Sequence, residues 1–182
     1  MLANPHAPTH QAPEFPAGSY TTPQVMNAED VQRSIDAIAA QPARLRYAVH
    51  GLTPAQLETR YRNWTVRQIV HHLADSTANA YTRFRLALTE ERPTVKPYNE
   101  SDWARLPDAL LADHTLSLSM FEALVGRLTF LARTLSPSDL QRNYWHPGYE
   151  KEYSVWQVLA MYDWHGNHHI GQIEWLRNHY RW

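Results

Sequence analysis

The ten residues from Trp164 to Ile173, WHGNHHIGQI, contain three of the eleven histidines in the chain. At about 100° per residue, His165 and His169 share one stripe of a helix with apolar side chains. That stripe comprises Val158, Tyr162, His165, His169, Gln172, Ile173 and Leu176. Residues four apart are neighbours on a helix, so both imidazoles can reach one metal ion at about 2.0 to 2.1 Å, whereas His168 projects away. An HxxxH pair also occurs by chance among ordinary helix residues, and a metal site needs a third ligand from elsewhere.

The composition limits which other kinds of site the chain can contain. A length of 182 residues and a formal net charge of -1 indicate one domain with a substantial core and no basic surface for nucleic acid. Cysteine is absent, so a metal must be held by nitrogen and oxygen ligands. Neither a glycine-rich phosphate loop, nor a basic leader, nor a run of about 20 apolar residues is present. We therefore expect a cytoplasmic protein that binds neither nucleic acid nor membrane.

Apolar residues recur with a helical period along most of the chain, which indicates an all-α fold rather than a β sandwich, a barrel or a nucleotide-binding α/β fold. Residues 1 to 13, rich in proline, are predicted to be a flexible arm, and residues 14 to 182 a single helical bundle domain. The first long helix is predicted to begin near Asn27, with a kink or a break and restart at Pro42.

The second long helix is predicted to begin at Thr65, where Thr65 and Gln68 form a capping box, and to run to about Thr89. A polar row lies beside its apolar stripe and comprises His72, Ser76, Asn79 and Arg83. Such a row indicates either one wall of a pocket or an ordinary boundary face, and the spacing favours neither. His71 and Asp75 are predicted to face solvent.

The remaining segments complete the predicted domain. Residues 91 to 107 form a connection with three prolines, residues 113 to 135 form a third helix, and residues 143 to 153 form a loop or a small hairpin. The last helix begins with a second capping box, Ser154 and Gln157. The stretches WTVRQIV and YSVWQVL therefore share one pattern. It either reflects the ordinary similarity of capping boxes or indicates that the two helices begin at equivalent ends of a bundle.

Several stretches together resemble the YfiT-like members of the DinB superfamily, which are described as proposed metal-dependent hydrolases. The similarity runs from about Glu14 to the C-terminus and is carried by EFPAGSY, TRYRNWT, WTVRQIVHHLADS, ALTEERPTVKPYNESDW and YDWHGNHHIGQI. The family motif is a histidine followed by leucine on the second helix plus an HxxxH pair on the last helix. In this chain the motif falls on His72, His165 and His169.

The resemblance implies a four-helix bundle, often a homodimer, in which these three imidazoles hold one Zn²⁺ or Ni²⁺ per chain and water completes the site. It also implies a small-molecule substrate. Some relatives resemble S-transferases that use a low-molecular-weight thiol such as bacillithiol, and others are thiol-dependent isomerases.

A site with three protein ligands and an open position is typical of catalytic zinc, which can lower the pKa of bound water or deprotonate a coordinated thiol. No base is evident, since Gly166 stands where an HExxH metallopeptidase has glutamate. Five further residues are candidates for hydrogen bonds to the metal ligands or for contacts with substrate: Ser76, Asn79, Arg83, His146 and Gln172. Each of them could equally serve packing or contact solvent. We expect an enzyme that transfers a thiol or hydrolyses its substrate. The alternatives are a metal-binding bundle without catalysis and a bundle whose histidines are only structural.

Overall fold

The computed structural model describes residues 12–182. In that part of the chain the long helices are α1 (Ala28–Val49), α3 (Val66–Thr89), α6 (His114–Ala132) and α8 (Val155–Tyr180). The short helices are α2 (Pro54–Leu57), α4 (Glu100–Trp103), α5 (Pro107–Leu111) and α7 (Pro137–Gln141). The strands are β1 (Arg60–Tyr61), β2 (Trp64–Thr65), β3 (Asn143–His146) and β4 (Lys151–Ser154).

The four long helices pack as a ring, in which α1 contacts α8 and α6, and α3 contacts α6 and α8. Their apolar stripes meet in one core, where the fully buried side chains include Leu45, Phe84, Phe121, Ile170 and Leu176. The predicted all-α four-helix bundle is confirmed. The two helices that carry the candidate metal ligands, α3 and α8, are direct neighbours.

An antiparallel hairpin precedes each histidine-bearing helix, β1–β2 before α3 and β3–β4 before α8. At the start of α3, the Gln68 N–H donates to the Thr65 hydroxyl at 3.2 Å, and the Thr65 N–H donates to the Gln68 amide oxygen at 2.9 Å. At the start of α8, the Ser154 N–H donates to the Gln157 amide oxygen at 3.1 Å. Both predicted helix starts are therefore confirmed, and each repeated stretch begins in the second strand of a hairpin and continues into the helix.

Of the two alternatives predicted at Pro42, a kink or a break and restart, the break is wrong, because α1 is one helix of 22 residues with Pro42 inside it. A proline within a helix removes one backbone hydrogen bond. The packing of α1 against α8 offsets this loss: the buried amide of Gln41 donates to the carbonyls of Tyr162, at 3.0 Å, and Asp163, at 3.2 Å.

Residues 12 and 13, which the sequence assigned to the flexible arm, pack on the domain. Ala12 is only 4% exposed, and its carbonyl accepts a hydrogen bond from Arg62 at 3.2 Å. The Pro13 carbonyl accepts one from the Tyr61 hydroxyl. The domain therefore extends at least to residue 12, and the rest of the predicted arm lies outside the described residues.

Helix α6 is long and apolar enough to cross a membrane if judged by length and composition alone. In the fold it is one of the four ring helices, and its side chains Leu118, Phe121, Val125 and Leu128 are buried. A core helix of a bundle passes the same test, and the buried side chains account for part of the hydropathy of α6.

Candidate metal centre

Three histidine rings converge between α3 and α8. His72 comes from α3, while His165 and His169 come from consecutive turns of α8. One ring nitrogen from each residue lies within 4.8 Å of those of the other two, and the Nε2 atoms of His72 and His165 are 3.1 Å apart. The structure thus brings together the three residues that the sequence singled out as metal ligands.

Burial keeps these three imidazoles neutral. It is the main cause that lowers the pKa of His72, His165 and His169 well below the ordinary value of 6.5, and neighbouring histidines lower each pKa further. A neutral imidazole has one nitrogen lone pair for a metal ion, whereas a protonated imidazole has none. Three lone pairs are therefore available near neutral pH.

Gln172 supports the cluster from behind. Its amide oxygen lies 2.9 Å from Nδ1 of His169, and its amide nitrogen lies 3.0 Å from Nε2 of His168. A hydrogen bond to one ring nitrogen of a metal-binding histidine fixes its tautomer and orientation. The sequence analysis included Gln172 among the contact candidates and did not include His168, which was predicted to project away from the ligand stripe and is buried.

Two indole rings flank the histidines. The Trp64 ring lies 4.6 Å from that of His72 and 6.0 Å from that of His169, nearly parallel to the latter. The Trp164 ring stacks on His168 at 4.9 Å. Sequence reasoning treated Trp64 only as the residue before a helix cap. The sequence did contain a signal for it. Trp64 directly precedes the first turn of α3, and His72 follows on the same helix about two turns later.

Glycine at position 166 lets α1 approach α8 directly behind His165. A Cβ atom added to Gly166 would lie 2.1 Å from Oε1 of Gln41, whose amide holds α1 against α8. A glutamate at this position would therefore meet α1 rather than the histidine cluster. Close packing of α1 against α8 therefore explains why this position has glycine instead of the glutamate of an HExxH motif.

A cavity of about 240 Å³ adjoins the three rings. Its wall is mainly aromatic and polar and comprises Trp64, His72, Ser76, Arg83, Tyr98, Glu100, Tyr144, His146, Tyr149, Tyr153, Met161, Tyr162, Trp164, His165, His168 and His169. Of the candidate contact residues, Ser76, Arg83 and His146 line the cavity, and Gln172 lies behind His169. Asn79 does not line it, and its amide donates to the Asp75 carbonyl at 2.9 Å, so for Asn79 the alternative of an ordinary boundary residue applies.

Ser76 and Tyr162 connect α3 to α8 within this wall. The Tyr162 hydroxyl donates to the Ser76 carbonyl at 3.0 Å, and the Ser76 hydroxyl lies 3.1 Å from the same phenol oxygen. Burial raises the pKa of Tyr162, which therefore stays a neutral donor. This contact fixes the separation of the helices that carry His72 and His165.

His71 and Asp75 are not directed to solvent as predicted. His71 is buried on the other side of α3, and its Nδ1 atom lies 2.7 Å from the Ser117 hydroxyl of α6. Asp75 is half-buried, and burial, reinforced by the charge of Asp108 in α5, raises its pKa. Helices α5 and α6 cover this face of α3, so His71 lies apart from the cluster.

The donor set fits a divalent transition metal. Among residues 12–182, the cluster consists of three imidazoles without a carboxylate, and imidazole suits Zn²⁺ and Ni²⁺ better than Mg²⁺ or Ca²⁺. The 3.1 Å separation of two Nε2 atoms is close to that of two ligands each about 2.0 to 2.1 Å from one tetrahedral ion. The adjoining cavity leaves room for a ligand at an open position.

Comparison with known proteins gives consistent matches over nearly the whole chain. The model of the DinB superfamily matches residues 9–173. YfiT of Bacillus subtilis (strain 168), named as a proposed metal-dependent hydrolase, is 41% identical over 170 residues, which cover 92% of this chain and 96% of the relative. A Geobacillus kaustophilus protein named in the same way is 41% identical over 170 residues, with the same two coverages of 92% and 96%.

A solved structure of Bacillus subtilis YfiT, described as a four-helix bundle of unusual topology, matches with a TM-score of 0.89 at 40% identity. The match covers 92% of this chain and 97% of that one. Metal dependence is suggested both by the names of these relatives and by the histidine cluster. With a family match over most of its length and relatives about two-fifths identical, the chain belongs to the DinB superfamily.

Proposed function

We propose that this protein is a metal-dependent enzyme that conjugates a small external thiol to an electrophilic substrate. His72, His165 and His169 would hold one divalent ion, Zn²⁺ or Ni²⁺. An ion at this position would lower the pKa of a thiol or a water molecule that coordinates it. The observation that carries the proposal is the convergence of three neutral imidazoles on the wall of an aromatic cavity.

The preference for a thiol over water comes from the acid–base groups of the cavity. Within the described chain, Glu100 is the one acidic side chain that lines it, and Glu100 is exposed. Attack by water gains from a nearby carboxylate base, as in HExxH metallopeptidases. A thiol has an ordinary pKa of about 8.5 and ionises far more readily than water, so it needs no such base.

The other residues of the site orient the ligands and form the aromatic part of the wall. Gln172 orients His169, and the Trp64 and Trp164 rings pack beside the histidines. In the conjugation, sulfur forms a bond to the electrophilic carbon, the leaving group departs with its electron pair, and the thiol proton passes to solvent. The aromatic rings of the wall would limit the hydration of the thiolate, which favours its attack.

Hydrolysis is the second candidate function, and the names of the relatives favour it. In that case water would take the place of the thiol, and the bond to the leaving group would be cleaved without a second substrate. A bundle that binds metal without catalysis would show neither activity.

An assay with two arms distinguishes these functions. The metal-loaded protein is incubated with bacillithiol, mycothiol or glutathione and a chromogenic electrophile, and in parallel with simple esters and amides without thiol. We expect thiol-dependent turnover that is lost in His169→Ala and retained in His71→Ala, the histidine on the opposite side of α3. Turnover of esters or amides without thiol, together with background rates in every thiol arm, would reverse the assignment.

A further inference from the structure

The cavity extends beyond the histidine cluster to a second polar end. Arg83 lies eleven positions after His72 on α3, about three helical turns and about 16 Å along the helix axis. Both side chains line the same cavity. Side chains of a helix lean toward its N-terminus, which for Arg83 is the direction of the histidine cluster.

Arg83 has no acidic partner among residues 12–182. Its Nη2 atom donates to the Lys96 carbonyl at 2.9 Å, and its guanidinium lies 5.8 Å from the centre of the Tyr98 ring. The exposed Glu100 lines the same cavity without forming a salt bridge to it. Most of the five N–H donors of this guanidinium are therefore available to a ligand.

A second unpartnered group lies at this end. His146 is only 6% exposed, and its Nδ1 atom is buried without a hydrogen-bond partner in the described part of the chain. Its ring stacks on Tyr149 at 4.6 Å, and both residues line the cavity. A buried polar atom without a partner is costly. Because this atom is not exposed to the cavity, Arg83 is the cationic group at this end that can contact a ligand.

We infer that this end of the cavity binds a carboxylate of the thiol substrate, with Arg83 as the specificity-determining residue. A guanidinium pairs with a carboxylate through two parallel hydrogen bonds. One arginine in a cavity that also contains the Glu100 carboxylate suits a singly charged group better than a dianion such as phosphate. The inference rests on the proposed thiol function, since the sulfur would occupy the metal end of the same cavity.

The separation of the two ends sets the kind of thiol that can span them. Because Arg83 lies three turns from His72, a thiol with its carboxylate on the next carbon would not reach both groups. The substrate class is therefore a thiol with a carboxylate several bonds from sulfur. Suitable probes are 6-mercaptohexanoate, its neutral analogue 6-mercapto-1-hexanol and its cationic analogue 6-amino-1-hexanethiol.

Calorimetric titration of the zinc-loaded protein with these probes tests the inference without an activity assay. We expect the acid to bind about ten- to a hundredfold more tightly than the alcohol, the effect of a charge-assisted hydrogen-bonded pair. In Arg83→Met this ratio should fall to about one while the alcohol binds as before, and Arg83→Lys should keep part of it. Arg85→Met is the matched control, because Arg85 follows on the same helix but lies over Tyr81 in a separate groove.

The outcomes separate this inference from the proposed function. If the acid keeps its advantage in Arg83→Met, the carboxylate binds elsewhere and the assignment to Arg83 is wrong. If acid and alcohol bind equally well, or if the amine binds best, the thiol function stands and the carboxylate site does not. If no thiol binds the zinc-loaded protein, the thiol function fails and the inference fails with it.

Discussion

The amide oxygen of Gln172 lies 2.9 Å from Nδ1 of His169, three residues earlier on α8. A carboxamide oxygen only accepts hydrogen bonds, so this contact places the proton of the neutral imidazole on Nδ1. The lone pair is then on Nε2, ready for a metal ion. In the same orientation, the Gln172 amide nitrogen donates to Nε2 of His168 at 3.0 Å.

Replacing Gln172 should therefore weaken metal binding without removing a ligand. Gln172→Leu is expected to lower zinc affinity by about 10- to 100-fold, since His169 loses the group that fixes its tautomer. Competition with a chromogenic chelator measures this affinity. Glu174→Gln is the control, because Glu174 lies on the same helix and pairs with Arg44 at the surface. Equal affinities of the two variants would show that Gln172 does not position His169.

A methyl group at position 166 should destabilise the contact between α1 and α8. In Gly166→Ala the new Cβ would lie 2.1 Å from Oε1 of Gln41, so the buried amide must move away from its two carbonyl partners. We expect the free energy of unfolding to fall by about 1 to 3 kcal/mol, the usual effect of overpacking. Urea denaturation measures the change.

Gly126→Ala is the matched control for this effect. A Cβ atom at Gly126, on the exposed side of α6, would meet nothing within 4 Å. Alanine is favoured over glycine within a helix by about 1 kcal/mol, so this variant should be as stable as the parent or more stable. Equal effects of both substitutions would mean that Gly166 has no special packing role.

The metal-free protein should lose stability as the pH falls. The pKa values of His72, His165 and His169 lie well below 6.5 in the folded state, so below about pH 6.5 the unfolded chain binds protons that the folded chain does not. Each histidine contributes a slope of up to about 1.4 kcal/mol per pH unit, and this contribution is constant above that range.

Urea denaturation in the presence of a chelator, between about pH 5 and about pH 8, measures the slope. The variant with both His165→Leu and His169→Leu should show a shallower dependence, because two of the proton-binding groups are gone. If the parent protein is equally stable across this range, the inference that the three imidazoles are buried and neutral in the folded state is wrong.

The N-terminal boundary can be tested with two truncations. A chain beginning at residue 14 loses the burial of Ala12 and the hydrogen bond from the Tyr61 hydroxyl to the Pro13 carbonyl, whereas a chain beginning at residue 12 keeps both. We expect the shorter chain to be less stable by about 1 to 2 kcal/mol in urea denaturation. Equal free energies of unfolding for the two truncated chains would show that residues 12 and 13 belong to the predicted arm and not to the domain.

Local signals in the sequence predicted the elements and the pattern of the site, because they depend on neighbours along the chain. The capping boxes at Thr65 and Ser154 fixed the helix starts, and the HxxxH spacing placed His165 and His169 on one face. The pairing with His72 needed the family motif, since nothing local relates α3 to α8.

The predictions from sequence were wrong where contacts between distant segments determine the structure. Periodicity gave the direction of His71 from α3 but could not show that α5 and α6 cover that face. Pro42 lies in a continuous helix, next to a Gln41 that packs against Gly166, and this contact between residues 125 apart in sequence is not visible from periodicity. Asn79 lies on α3 in the row predicted from spacing, but its amide donates a hydrogen bond to the backbone of its own helix.

The metal content of protein purified without an affinity tag tests the central claim most directly. We predict one divalent ion per chain in the parent protein and in His71→Ala, whose ring lies on the far side of α3. The double variant His165→Ala, His169→Ala should contain none, because two of three ligands are lost. Circular dichroism shows whether that variant keeps its helices. A folded double variant with the same metal content as the parent would contradict the assignment of His72, His165 and His169 as a metal centre.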